Sequence, residues 1–506
     1  MRVKSTLYNS IVAVLSYIAL AVLGIVLRKF FLQYLPTEYL GYEGLFSNIF
    51  AILSVADLGI NGIILYRMYP AINRNDEQEL QKLMSVYKFL YRIVGTGVAV
   101  IGVAIIPLLK VIIPDNQLNW SYVYLVYLLQ LIISLCSYFL AYKRVMFIAT
   151  MQEAVATKIE TSATFISTVI KIAVILITRN YILYIVIGVL NNIAMNAVIA
   201  YRANVKYPYI KKSIKVTKGD ISSLGLGHDL KNNLFQKLSI AIYGGTDSIL
   251  ISMLLGINYV GLLSNYILIS GYVSNFLTKL LNPFQVAIGN FVHDEKAEKK
   301  EAMFNMFDRL GFFMAVFVST CFFALFEPFI GIIYGEKYLL GTMYVLMFAI
   351  NQYITYNHKF LYFYRSAFGK FEVDKWYAFI AAVLNIVASV ILAKYMGIAG
   401  IMLGTVIGHI GFWIGRAKVV FEEYLPGLAP RYIFRQLMNI VIWGIEFGGT
   451  FYICSFLPNG WLWIAIRVLI CLIVPNLLNV IIFMRTNDMK MILEYVKKSK
   501  SAIKEK

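Results

Sequence analysis

A chain of 506 residues in which 60% of positions are hydrophobic and 14% charged lies well outside the roughly 25% charged, 45–50% apolar composition of soluble domains. A water-soluble enzyme is excluded, and a mean hydropathy of +0.71 points to an integral membrane protein. The net charge of +19 does not indicate nucleic acid, because the basic residues sit in alternate short loops between apolar segments and not on one folded basic face.

A helix needs about 20 apolar residues to cross a hydrocarbon core of roughly 30 Å, and about fourteen such spans are expected here. The first six cover 8–31, 40–66, 89–112, 120–141, 154–178 and 181–201. The next six cover 233–255, 258–286, 304–326, 339–364, 375–394 and 397–416, and two more cover 434–456 and 460–484. The expected fold class is an all-α integral membrane protein. The first run is about 24 residues long and leads straight into Arg28 and Lys29, against roughly 7–15 residues for the core of a cleavable signal, so it is expected to stay as the first helix.

With both termini cytoplasmic, about 34 of the 46 Lys and Arg residues fall in inner loops or inner span ends and about six in outer ones. That asymmetry sets the orientation of a multi-pass membrane protein. The basic tail 485–506 is expected near anionic lipid headgroups.

The loops exclude several chemistries. The longest outer loop, 327–338, leaves no room for the large extracytoplasmic loops or soluble domain of many envelope polymerases and glycosyltransferases. The inner loops 203–232 and 288–303 carry no Walker A sequence or glycine-rich phosphate cradle. HDEKAEKKEA, 293–302, reads as a solvated helix with Glu–Lys pairs four residues apart. Cys136, Cys321, Cys454 and Cys471 lie in apolar runs, and His228, His293, His358 and His409 are scattered. No metal centre, disulfide framework, catalytic thiol or cofactor is expected.

Ionisable and polar residues inside spans usually face a bundle interior or a wet cavity. In the fifth span Thr157, Thr161, Thr164, Thr168 and Lys171 share one helical face, widened by Glu160 and Ser167. In the second, Ser47, Ser54, Asp57 and Asn61 do so. The seventh carries Asn233, Lys237 and Asp247, and the eighth Asn265, Asn275 and Lys279. In the tenth, Asn351, Thr355 and His358 line up beside Lys359, with Tyr353, Tyr356, Tyr362 and Tyr364 nearby. Threonine stripes also serve helix packing, and span-end tyrosines also anchor at the interface. Arg28 could snorkel to the outer surface, Glu446 and Arg467 could pair with each other, and His409 suits an interhelical hydrogen bond. Taken together, Arg28, Lys171, Lys237, Lys279, Lys359 and Arg467 outnumber Asp57, Asp247 and Glu446. Such an excess fits an anionic ligand such as a phosphate or pyrophosphate.

YEGLFSN at 42–48 is echoed by YVGLLSN at 259–265, six predicted spans later. An offset of six spans preserves orientation, as in two related halves about a membrane-normal axis.

LFSNIFAILSVADLGINGIILYRMYPAI (45–72) and GTDSILISMLLGINYVGLLSNYILI (245–269) resemble bacterial polysaccharide flippases, the Wzx-type transporters of the multidrug/oligosaccharidyl-lipid/polysaccharide (MOP) exporter superfamily. The resemblance implies two pseudo-symmetric six-helix lobes in a V, here 1–202 and 233–421 joined by a linker at 203–232, with two further helices at 434–484. It implies a cargo of oligosaccharide on polyprenyl pyrophosphate, moved to the outer leaflet by alternating access, with the polymerase or glycosyltransferases of the same pathway as partners. Coupling could come from H⁺, Na⁺ or the membrane potential. Cavity cations would be Arg28, Lys171, Lys237, Lys279 and Lys359. Two rivals stay open. A drug or cation antiporter of the same superfamily would want an acidic cavity. A membrane-embedded glycosyltransferase would need an acid pair at one membrane face, such as Glu301 with Asp308 or Glu422 with Glu423.

Overall fold

The computed structural model describes residues 2–54, 57–217, 219–220, 228–294, 297–368 and 371–504. It divides into two compact units, Met1–Tyr272 and Val273–Lys506. No strand occurs among the described residues.

The first unit contains α1 (Arg2–Tyr34), α2 (Thr37–Leu53), α3 (Asp57–Asn73), α4 (Glu77–Ile105), the short α5 (Leu109–Ile112), α6 (Trp120–Phe139), α7 (Arg144–Ala149), α8 (Glu153–Thr178), α9 (Tyr181–Lys206), α10 (His228–Leu254) and the start of α11 (Ile257–Asp294). Side chains cap several starts: Asp76 accepts from Glu79 N at 3.0 Å, Asn119 from Ser121 N and Asn180 from Leu183 N. Asp115, from the loop between α5 and α6, accepts the Ile257 N–H at the head of α11. One core joins α3, α4, α7 and α9 through Ile64, Met68, Leu83, Tyr87, Met146 and Ile199. The chain after α9 is pinned along α4, with Gln81 donating to Lys212 O, Lys88 to Ser213 Oγ, and Ile214 N to Ser85 Oγ.

The two echoed segments meet each other in this unit. A Cβ on Gly41 would stand 2.3 Å from Ile257 O, and one on Gly261 would stand 2.4 Å from Thr37 O. Only glycine permits so close a backbone approach, which is how α2 and the head of α11 cross.

The second unit contains the rest of α11, then α12 (Ala297–Ile333), α13 (Thr342–Asn357), α14 (Lys359–Ala367), α15 (Phe371–Met396), α16 (Ile398–Glu423), α17 (Ala429–Ser455), α18 (Trp461–Phe483) and α19 (Asn487–Lys504). α12 is the platform: α13, α17, α18 and α19 all pack on it.

Among the described residues, eleven helical stretches are long and apolar enough to cross a membrane. The three other predicted spans, 40–66, 233–255 and 339–364, are among those that carry polar faces. Residues 40–66 divide between α2 and α3, of 17 residues each. Residues 339–364 divide at His358 into helices of 16 and 9 residues. Residues 233–255 lie in the continuous but polar α10.

Candidate functional site in the first unit

Lys171 is placed by α8, which packs between α1 and α9. Its ammonium lies 4.3 Å from the centre of the Tyr184 ring of α9, a cation–π arrangement. Gly188, one helical turn on, leaves the space it uses, since a Cβ there would stand 3.3 Å from Nζ. Arg28 of α1 donates from Nη1 to Ser264 Oγ of α11 at 2.7 Å. Glu43 of α2 is the acid in electrostatic range of Lys171, and Glu43 and Arg28 both act on Tyr181 and Tyr184.

Aromatic rings fix this arrangement. Phe31, one turn after Arg28, meets Tyr181 and Tyr184 edge-on at 5.8 and 5.3 Å. Tyr39 stacks on Tyr181 at 4.3 Å, and the Tyr181 hydroxyl donates to Tyr39 O. Across α1, Tyr17 donates to Tyr272 O at 2.8 Å. The result is two cations and one acid on a tyrosine-rich frame.

These charges are not closed on one another. Among the described residues no ion pair forms between Lys171 and Glu43, and Glu43 Oε2 is buried without a hydrogen-bond partner. Arg28 uses one of its five donors on Ser264. A structural ion pair would have been brought together, since charges taken from water gain little unless paired. Unclosed cations inside spanning helices suit a ligand that brings negative charge and acceptor oxygens.

The remaining residues singled out in the sequence are distributed as follows. Thr157, Thr161 and Thr168 are half-buried and Thr164 exposed on α8, with the Thr168 hydroxyl returned to Thr164 O. Asn61 accepts from Tyr87. Lys237 and Asp247 are half-buried on α10. The Asp57 side chain lies outside the described residues. In the second unit Asn275 and Lys279 are exposed on α11. Asn351 meets His409 Nδ1 at 2.7 Å, Thr355 bonds back to Asn351 O, and Lys359 lies over the Tyr362 and Phe363 rings. His358 is buried, stacked 4.6 Å from Trp413.

Two readings change. Arg467 does not pair with Glu446: it donates to Leu457 O at 2.7 Å and faces Cys454 O and Asn459, at the turn between α17 and α18. Asp308, named from the sequence as an acid at one membrane face, is 3% exposed. α12 begins at Ala297, so Asp308 lies well inside the bundle. There it pairs with Arg435 at 2.9 Å and accepts from Gln436, which in turn accepts from Asn357. Glu301 pairs with Arg431, and Glu422 with Lys418. Three of the four acids that a transferase would recruit, Glu301, Asp308 and Glu422, are thus engaged in ion pairs. Sequence reasoning passed over Glu43, Tyr181, Tyr184 and Ser264. The one signal for Glu43 is that the echo breaks there, with Val260 in the matching place.

No protein-family model and no curated protein sequence matches the chain. Its fold is shared with solved structures. A lipid II flippase MurJ in an inward closed conformation superposes with a TM-score of 0.68 at 15% identity, over 94% of this chain and 99% of that one. An inward-facing multidrug resistance MATE family transporter of the MOP superfamily gives 0.56 at 15% identity, over 79% of this chain and 94% of that one. The chain therefore shares its fold with these two transporters.

Proposed function

We propose that this protein is a flippase that carries polyprenyl-pyrophosphate-linked oligosaccharide across the cytoplasmic membrane of a bacterium by alternating access, for the synthesis of a surface polysaccharide. The observation that carries the reading is the unclosed pair of cations, Arg28 and Lys171, held against a single acid inside spanning helices. The sharing of a fold with a lipid II flippase supports it. The guanidinium and ammonium hold the pyrophosphate; the tyrosine frame offers rings and hydroxyls to the first sugar; the polyprenyl chain stays in lipid. No covalent step is required, so the protein is read as a transporter and not an enzyme. The distribution of Lys and Arg supports a cytoplasmic position for both termini.

The MATE likeness and the unpartnered Glu43 oxygen favour a second reading, a cation antiporter. The charge balance of the site opposes it. Reconstituted protein would be assayed for movement of a polyprenyl-pyrophosphate oligosaccharide between leaflets and, separately, for movement of a small organic cation. Acceleration of the lipid, lost in Lys171→Ala, supports the flippase. Movement of the cation alone replaces it with the antiporter. Lipid movement equal in parent and Lys171→Ala keeps the function and removes Lys171 from the site.

A further inference from the structure

A second set of buried polar groups lies in the second unit, where α17 and α18 pack on α12. Glu446 of α17 is 2% exposed, Thr450 one turn on is 0%, and Asn479 of α18 is 1%. The Asn479 side chain lies against the Glu446 carboxyl. Even so, neither carboxyl oxygen, neither polar atom of the Asn479 amide, nor Thr450 Oγ1 completes a hydrogen bond of normal geometry. Thr320 Oγ1 of α12 is a further buried atom of this kind, in the turn between Ser319, which binds Trp443 Nε1, and the Ala324–Cys454–Cys471 cluster.

Among the described residues no ion pair forms with Glu446. On α12, Asp308 and Arg309 are engaged with Arg435, Gln436, Asn439 and Asp488 of α19. On α18, Arg467 is turned to the α17–α18 link, and Cys471 packs with Cys454 and Cys321. Tyr353 of α13 lies in electrostatic range, stacked on Trp443. A carboxylate in this core would be an uncompensated buried charge.

A neutral acid resolves the chemistry. A carboxylic acid and a primary amide are complementary: the acid O–H donates to the amide oxygen, and an amide N–H donates to the acid carbonyl. One proton thus satisfies four otherwise orphaned atoms. We propose that Glu446 is a proton-binding site, carried as the neutral acid paired with Asn479, and that loss of the proton loosens α17 and α18 from α12. The pairing fixes the register of α17 against α18, so the ionised form would have to admit water or separate the helices. This assignment does not depend on the cargo at Arg28.

Infrared difference spectra of the full protein in lipid test the first half. A protonated-carboxyl C=O band present near neutral pH and absent in Glu446→Gln is expected. Asn479→Ala should shift that band, and this arm stands even if Glu446→Gln fails to fold. Absence of the band in the parent overturns the proposal. Removal of the band by Na⁺ at constant pH also overturns it, by showing a metal cation in place of the proton. Labelling of Cys454 and Cys471 by a membrane-permeant thiol reagent tests the second half. The parent should label several-fold faster than Glu446→Gln as the pH is raised, the variant correcting for thiol ionisation itself. Equal acceleration in both overturns the loosening.

Discussion

Arg28 and Ser264, 236 positions apart in the chain, are joined by a 2.7 Å hydrogen bond between α1 and α11. The serine belongs to the echoed segment, so the repeat supplies the group that aims the guanidinium. Arg28→Ala is expected to lower the flipping rate at least tenfold, because hydrogen bonds to charged groups contribute about 1.5–3 kcal/mol each. Ser264→Ala keeps the charge and loses the aim, and should lower the rate by a smaller factor. Arg28→Lys should fall between them, since the planar fork is lost. Initial rates of lipid movement in proteoliposomes rank the three.

Glu43 opposes the two cations of the site. Glu43→Gln leaves Arg28 and Lys171 uncompensated, so an anionic lipid should bind more tightly and leave more slowly. Equilibrium binding of a polyprenyl pyrophosphate should strengthen while turnover falls. Weaker binding in this variant would assign Glu43 to the cargo's sugar rather than to charge balance.

The Asp308–Arg435 pair ties α17 to α12 in a nearly dry core. Breaking a buried pair from one side costs about 3–5 kcal/mol because a charge is left behind. Arg435→Ala and Asp308→Ala should each lower the midpoint of thermal unfolding sharply, and the double variant should lose much less than their sum. Additive losses would mean the two residues act independently.

How much of this was legible from residues alone depended on contrast. Lys171 and Arg28 stand out because charge inside an apolar run is conspicuous. Glu43 does not, because it sits at a helix entry where an acid is ordinary, and only its neighbours in space make it unusual. The burial of Asp308 was not legible because its partners, Arg435 and Gln436, lie more than a hundred residues further on. The halt at His358 carries no proline or glycine between 342 and 364, so it is set by packing, with His358 stacked on Trp413. The apolar spans themselves needed only length and composition.

Asp220 lies in the basic segment after α9, salt-bridged to Lys82 at 2.8 Å and accepting from Thr217. Lys82 and the Thr217 donors hold its carboxyl well below the ordinary carboxylate range. The contact therefore stabilises the fold at every pH above the unfolded value and is lost as acid protonates the native carboxylate. Asp220→Asn should free the segment from α4 at neutral pH, read as faster proteolysis between 203 and 232, whereas the parent should become equally sensitive only in strong acid. Unchanged cleavage in Asp220→Asn would leave the segment held by the Gln81, Ser85 and Lys88 contacts alone.

The role of α12 as a platform bears on how the chain tolerates loss of its end. With α17, α18 and α19 seated on it, Asp308, Arg309 and Ser319 are sheltered by groups that come late in the sequence. A chain cut after Glu423 would turn those three toward hydrocarbon, where unsatisfied polar atoms cost several kcal/mol each. The last helices act as a seal over the second unit, and their synthesis covers the face of α12 that carries these three side chains.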